Sequence, residues 1–296
     1  MANGGSPIET KRAPNPINWF PGHMAKALRQ VKEKVKKVDL VVDIRDARAP
    51  LATGNPALQK VMGGKPSLVI LNKSDLADKE AIQLWKKWFT DSGQFMECVS
   101  ALQPSTIKRI PATARKLMKE KWKSFEKKGI RPPPLRMMII GIPNTGKSTI
   151  INRLTRRSVT RTGDRPGVTR SQEWIVVGKD IECLDTPGIM PPKIETEEQG
   201  YWLCAIHAIK DEILGKERVA RFVVESLLDK NKRLFKERYS LENTDQAIEK
   251  ILLDIGERLN FRKRKGEIDI AKTSGQILQD FRQGLLGSIS FEMPPD

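Results

Sequence analysis

At 296 residues the chain is long enough to bury a substantial core, as one large domain or a domain with a smaller companion. Lys and Arg number 53 against 36 Asp and Glu, a formal charge of +17 that favours polyanionic partners, nucleic acid first and an anionic membrane surface second. No apolar run reaches bilayer-spanning length and no charged-then-apolar signal segment opens the chain, while Cys98, Cys183 and Cys204 are widely spaced and share no ligand spacing with His23 or His207; a soluble, cytoplasmic, zinc-free protein is expected.

Residues 1–14 hold Gly, Pro and mixed charge with few apolar side chains, the composition of a disordered tail. Met24, Leu28, Val31, Val35 and Val38 then recur at helical spacing, with Lys26, Arg29, Lys32, Lys36 and Lys37 on other faces, which predicts a basic amphipathic helix. Apolar stretches at 38–44, 67–71 and 95–99 read as strands separated by helix-length segments. Ala114, Leu117, Met118, Trp122 and Phe125 mark a helix, and the basic, proline-rich stretch 127–134 is a connector. A strand at 136–141, a glycine-containing loop, a helix from Lys147 and strands at 174–177 and 181–184 follow, so an α/β sheet with helices on both faces is expected. From about residue 198 the pattern is helical, and the Thr273 to Gln276 spacing reads as a capping box before Ile277 and Phe281. The expected organisation is a tail at 1–14, an α/β domain at 15–198 and a helical domain at 199–296.

The segment Gly141-Ile-Pro-Asn-Thr-Gly-Lys-Ser148 matches the P-loop pattern between a strand and a helix. Residues Asn144, Thr145, Gly146 and Thr149 then line a phosphate cradle, Lys147 reaches the β and γ oxygens, and the Ser148 hydroxyl is placed to ligate Mg²⁺. Asp185-Thr-Pro-Gly188 follows a strand, which suits Asp185 to the metal and the Gly188 amide to the γ-phosphate. Thr169 is the candidate switch threonine for the same metal, with Thr160 and Thr162 as neighbours that compete for the role.

Asn72-Lys73-Ser-Asp75 closes a strand, where open α/β sheets gather their ligands. The Asp75 carboxylate can accept from the N1–H and exocyclic amine of guanine, a donor pair that adenine lacks, and the Ser100-Ala101 backbone can offer an N–H to guanine O6. Each of these tetrapeptides alone is compatible with an ordinary polar turn; four motifs at strand ends together are not. Their order is unusual, because the base-reading motifs precede the P-loop. A sheet tolerates such a circular permutation, with 127–134 as the join, and the Asp185 to Gly188 motif then leads by a short connection into the helical domain.

Trp19-Phe-Pro-Gly-His-Met-Ala-Lys26, Asp46-Ala-Arg-Ala-Pro50, Asn72 to Asp75, Gly141 to Ser148, Gly163-Asp-Arg-Pro-Gly-Val-Thr169 and Asp185 to Gly188 together resemble the circularly permuted GTPases, specifically the ribosome biogenesis GTPase A family. The likeness spans nearly the whole chain. It implies GTP as substrate, GTP-dependent binding to the precursor of the large ribosomal subunit, a part in its late maturation, and hydrolysis stimulated by that particle. It also implies that the helical domain is similar to RNA-binding antitermination modules. The expected partners are therefore the large-subunit precursor and its rRNA, with no DNA, no membrane and a monomeric chain off the ribosome.

Ile189 stands where Ras-like enzymes carry a water-orienting glutamine, so slow unaided turnover is expected. The resemblance points to His23 as the catalytic group, against a structural histidine that fixes its turn. It also points to Asn144 as a K⁺ ligand, against a simple turn residue. Six arginines (Arg153, Arg156, Arg157, Arg161, Arg165, Arg170) face only Asp164 around the first switch, and Arg258, Arg262, Lys263, Arg264 and Lys265 form a second cluster. Together these read as a divided RNA-binding surface. The rival readings are a regulatory GTPase docking on a non-ribosomal protein or a membrane, and a nucleotide-gated RNA binder with negligible hydrolysis.

Overall fold

The computed structural model describes residues 22–155, 174–191 and 193–295, with 22–25 as backbone only. The readings for residues 1–14, for Thr169, Thr160 and Thr162, and for the arginines from 156 to 170 lie outside these residues.

Six strands form one sheet: β1 (Leu40–Asp46), β2 (Ser67–Asn72), β3 (Phe95–Cys98), β4 (Leu135–Ile140), β5 (Trp174–Val177) and β6 (Ile181–Asp185). Their order is β3-β2-β1-β4-β6-β5, parallel throughout except for the antiparallel β5 edge. Every residue of β1 is buried, as a central parallel strand covered on both faces requires. The chain runs outward from β1 to β3 and then returns to lay β4 beside β1. That reversal makes the β1/β4 boundary the topological switch point, outside whose carboxyl ends ligands bind in sheets of this kind.

Helices α1 (Gly22–Lys34, continued by a 3-10 turn over Val35–Lys37), α2 (Pro56–Met62) and α3 (Lys79–Asp91) cover one face. The helices α4 (Pro104–Ile107), α5 (Arg109–Glu126) and α6 (Lys147–Thr155) cover the other. Val31, Val35 and Val38 are buried against Val41, Met138, Ile140 and Leu184, so the predicted apolar stripe is the seam by which the basic helix attaches. Trp85 and Phe89 of α3 are fully buried on Val69 and Leu71, each worth roughly 1.5–3 kcal/mol of burial. The connector 127–134 joins α5 to β4 without regular structure.

Beyond the sheet come α7 (Glu197–Ala205), a 3-10 turn (Asp211–Ile213), α8 (Lys216–Lys230), α9 (Lys232–Arg238), α10 (Ile248–Arg258) and α11 (Ile270–Arg282). Val219, Val223, Leu227, Phe235, Ile251, Ile255, Ile277 and Phe281 build their core. Helices α10 and α11 meet at Gly256, where a Cβ would lie 2.3 Å from Ile268 Cγ2 and 2.6 Å from Thr273 Oγ1. The capping-box reading of Thr273 is corrected here: α11 starts earlier, capped by Asp269, which accepts from the Lys272 N–H at 2.9 Å. Thr273 lies inside the helix and donates to the Asp269 carbonyl at 3.0 Å, and Gln276 is likewise internal.

The helical core does not stop at its own helices. It takes in Ala49 and Ala52 after β1, Ile142 after β4, and Met190 and Ile194 after β6. The loops at the carboxyl edge of the sheet are thus packed into the helical region, and the segment following α11 folds back across two of them.

Candidate nucleotide site

The turn from β4 into α6 is made possible by glycine. Gly141 has φ +146°, and a Cβ there would sit 2.3 Å from the Ile44 carbonyl oxygen of β1. Gly146 has φ +95°, and its Cβ would sit 2.2 Å from Asn72 Nδ2. Both positions combine left-handed backbone with close approach, so no other residue fits unstrained. The chain-internal partner of Lys147 is the Ile142 carbonyl, to which Nζ donates at 2.6 Å, beside the Thr145 hydroxyl at 3.0 Å from the same oxygen. Burial lowers the Lys147 ammonium to about 8, with Asp185 and Asp43 opposing the shift.

Asp185 ends β6, and neither of its buried carboxylate oxygens has a hydrogen-bond partner among the described residues. Burial raises it to about 6, against the Lys147 charge. A buried carboxylate with both oxygens unpartnered, on the strand beside one that leads into the Ser148 hydroxyl, is an oxygen donor set suited to a hard divalent cation. Gly188 brings its motif against the P-loop: a Cβ there would lie 2.8 Å from the Pro143 nitrogen. Ile189 donates its N–H to Gly141 O at 3.3 Å, while its side chain is buried in the cluster formed with α1 and β4. It faces the core.

At the other end of the site Asn72 ties three motifs together. Its Nδ2 donates to the Thr145 carbonyl at 2.7 Å and its Oδ1 accepts from the Ala101 N–H at 3.2 Å. Lys73, at φ +60°, donates to the Asn144 carbonyl at 2.9 Å and pairs with Asp46 at 2.9 Å. Asp75 is exposed at the loop tip. The Ser100 amide donates to Thr106 Oγ1 at 3.0 Å, and the Ala101 amide is held by Asn72. A contact from either to guanine O6 would share or replace a bond inside the chain. Thr149 follows Ser148 in the first turn of α6.

Asn144 has φ +59°, as the turn reading requires, and its Nδ2 also donates to the His207 carbonyl of the helical region at 2.7 Å. His23 lies in the backbone of the first turn of α1, and the role given to its imidazole lies outside the described residues. Trp202 stacks on Phe291 with ring centres 6.5 Å apart, and Phe261 lies beneath the Lys272 ammonium at 4.3 Å, so both rings are engaged within the chain. Arg258 pairs with Glu242 and Arg262 with Glu257, while Lys263, Arg264 and Lys265 stand exposed on the turn between α10 and α11. The three thiols are raised by burial, to about 11 for Cys98 and about 12 for Cys183 and Cys204, which makes them unreactive hydrophobes.

Sequence reasoning did not derive a second layer of polar residues. Arg48 is fully buried and donates to both Asp46 oxygens at 2.9 Å. Burial works against the charge on Asp46, but Arg48 and Lys73 outweigh it and hold the carboxyl well below the usual range. The Arg48 guanidinium lies 5.3 Å from the ring centre of Phe281 in α11. The signal available was a charged run, Asp43 to Arg48, inside and just beyond an apolar strand.

Comparison with known proteins gives one consistent picture. The family model described as 50S ribosome-binding GTPase matches residues 136–259. A protein of Bacillus cereus named ribosome biogenesis GTPase A is 43% identical over 280 residues, covering 95% of each chain. The mouse protein named mitochondrial ribosome-associated GTPase 1 is 31% identical, covering 93% of this chain and 89% of its own. The solved structure of GNP-bound YlqF from T. maritima superposes with a TM-score of 0.63 at 27% identity, over 92% of this chain and 99% of that one. No helix among the described residues is long and apolar enough to cross a membrane.

Proposed function

This chain belongs to the ribosome biogenesis GTPase A family, and from that premise we propose that it binds the precursor of the large ribosomal subunit when loaded with GTP, promotes its late maturation, and hydrolyses GTP when the particle stimulates it. The observation that carries the nucleotide part of this reading is the pair of bonds by which Asn72 joins the 72–75 loop to the P-loop and to the 100–101 loop, since they gather three of the four motifs at the carboxyl edge of the sheet.

In this reading Asp75 accepts from the guanine edge, with Asn72, Lys73, Ser100 and Ala101 shaping the base pocket. The amides from Asn144 to Thr149 and that of Gly188 surround the phosphates, with Lys147 as the cation that neutralises them. Ser148, Asp185 and Thr169 would hold Mg²⁺, which supplies charge neutralisation at the phosphate oxygens. The unpartnered Asp185 oxygens support this.

The buried side chain of Ile189 leaves the attacking water without a partner there, so turnover is slow off the ribosome. His23 is the proposed group that orients that water. It is supported by the shared cluster of Ile189 with Ala27, Val31 and Val35, which anchors the helix carrying His23 beside the Gly188 motif. K⁺ beside Asn144 is the proposed electrostatic supplement.

Residues 15–198 are assigned to the GTPase domain and 199–296 to a helical, RNA-binding domain, with 1–14 as a tail. The exposed Lys263, Arg264 and Lys265 support rRNA contact by the second. The protein is assigned to the cytoplasm as a monomer off the ribosome. The test is cosedimentation with isolated large and small subunits in GDP or a non-hydrolysable GTP analogue, followed by turnover with each. Binding to neither subunit, or equal binding in both nucleotide states, rejects the proposal.

A further inference from the structure

We propose that residues 288–292, the segment that follows α11, form a specificity-determining part of the guanine site by holding the loop that carries Asp75 in register. The inference rests on the reading of Asp75 as the base-recognising acid.

The loop from β2 to α3 is held by this segment along its backbone. The Ser288 hydroxyl donates to the Asp75 carbonyl at 3.3 Å, the Ile289 N–H donates to the Leu76 carbonyl at 3.0 Å, and the Asp78 N–H donates to the Ser290 hydroxyl at 3.1 Å. The same segment then reaches the loop after β1. There the Phe291 N–H donates to the Arg48 carbonyl at 2.8 Å, and the Glu292 carboxylate accepts from the Leu51 and Ala52 N–H groups at 2.7 and 2.9 Å. Trp85 of α3 donates its indole N–H to the Glu292 carbonyl at 3.2 Å.

Inside, Lys73 links the same two loops through Asp46 and Arg48. The base-reading loop is therefore braced from both sides, by an ion network within the site and by a strap outside it. The strap is in turn fixed to the helical region, where Lys230 Nζ donates to the Ser290 carbonyl at 2.7 Å and Phe291 packs on Phe281 and Trp202.

A carboxylate that must accept two parallel hydrogen bonds from one base edge tolerates displacement of only about half an ångström. Asp75 is exposed, and its own side chain contributes little to fixing its loop. Its register is set by the strap together with the Lys73 network inside. By linkage, guanine binding must tighten the strap as much as the strap tightens guanine.

The test compares dissociation constants for GDP and inosine diphosphate. Inosine lacks the exocyclic amine, so the ratio of the two isolates the second bond to Asp75, whereas general destabilisation weakens both ligands alike. The proteins are the full chain, Glu292→Gln, a Ser288→Ala/Ser290→Ala double variant, and a chain ending at Gly287, each checked for folding by thermal unfolding.

GDP affinity is expected to fall about tenfold in the strap variants while inosine diphosphate affinity changes less than about twofold. A wild-type ratio in folded variants, whether the affinities are unchanged or fall together, overturns the proposal. If the chain ending at Gly287 does not fold, the point variants decide. Asp75→Asn in the intact chain tests the premise separately: its amide can donate to the 2-carbonyl of xanthine, so preference should pass from GDP to xanthosine diphosphate. If it does not, the base reading falls and the strap proposal with it; if it does and the strap variants keep the wild-type ratio, only the strap proposal falls.

Discussion

Asn144 of the P-loop donates its side-chain amide to the main-chain carbonyl of His207 across 2.7 Å, so a residue of the phosphate loop is held by the helical region. Turnover on the large subunit should be higher in KCl than in NaCl at equal ionic strength if Asn144 also serves a monovalent cation. Asn144→Ala should then abolish the difference between the salts. An unchanged salt response in that variant, with stability lowered by about 1 kcal/mol for the lost hydrogen bond, would leave Asn144 as an anchor alone.

Gly146→Ala should lose nucleotide binding. Its φ of +95° strains any L side chain, and the new methyl would press on Asn72, the residue that joins three motifs. Strain and displacement together should cost at least about 2 kcal/mol, or a thirtyfold loss of GDP affinity by titration calorimetry. An affinity within threefold of wild type would show that Asn72 is not needed where it stands.

Supplying the Ras-like group should fail. Ile189→Gln places an amide in an apolar cluster, with a cost of about 2–4 kcal/mol in chemical denaturation and no gain in unaided hydrolysis. His23→Ala, in contrast, should lower particle-stimulated turnover by about a hundredfold and leave GDP affinity as it was. Full stimulated turnover in His23→Ala rejects its catalytic role, and faster unaided hydrolysis in Ile189→Gln shows that position 189 does reach the water.

Glu292 gives a prediction in pH. Burial pushes it up to about 7, with Glu198 adding to the rise and the Leu51 and Ala52 N–H groups and Arg45 opposing it. Its value in the unfolded chain is near 4.5, so between the two the folded chain keeps a proton that the unfolded chain has released. The stabilisation from that proton is complete below about pH 4.5 and is lost as pH rises through about 7. The unfolding midpoint of the wild type should therefore decline between about pH 5 and pH 7.5 more than that of Glu292→Gln. Parallel curves would place the Glu292 titration elsewhere.

Much of this was legible in the amino-acid order. The strands at 67–72 and 135–140 are apolar runs bounded by turn residues, and the P-loop glycines announce their backbone demands. What was not legible depends on distance along the chain. Thr273 and Gln276 have the spacing of a cap, but Asp269 sits one turn earlier with a better acceptor for a free N–H. Glu292 looks like an ordinary surface acid, and only the return of its segment to Leu51 and Ala52, some 240 residues away, makes it a buried one. Arg48 is similar: its burial requires Asp46, Lys73 and Phe281 to converge from three elements.

The pairing of β1 with β4 has a consequence for how the molecule is made. Synthesis proceeds from the N-terminus, so β1, β2 and β3 leave the translating ribosome before β4 exists, with one whole edge of the most buried strand unpaired. The nascent chain can acquire its base-reading loop early. It has no phosphate cradle until residue 148 has emerged, and no strap until residue 292 has. The nucleotide loops thus come together only after segments far apart along the chain have all been made.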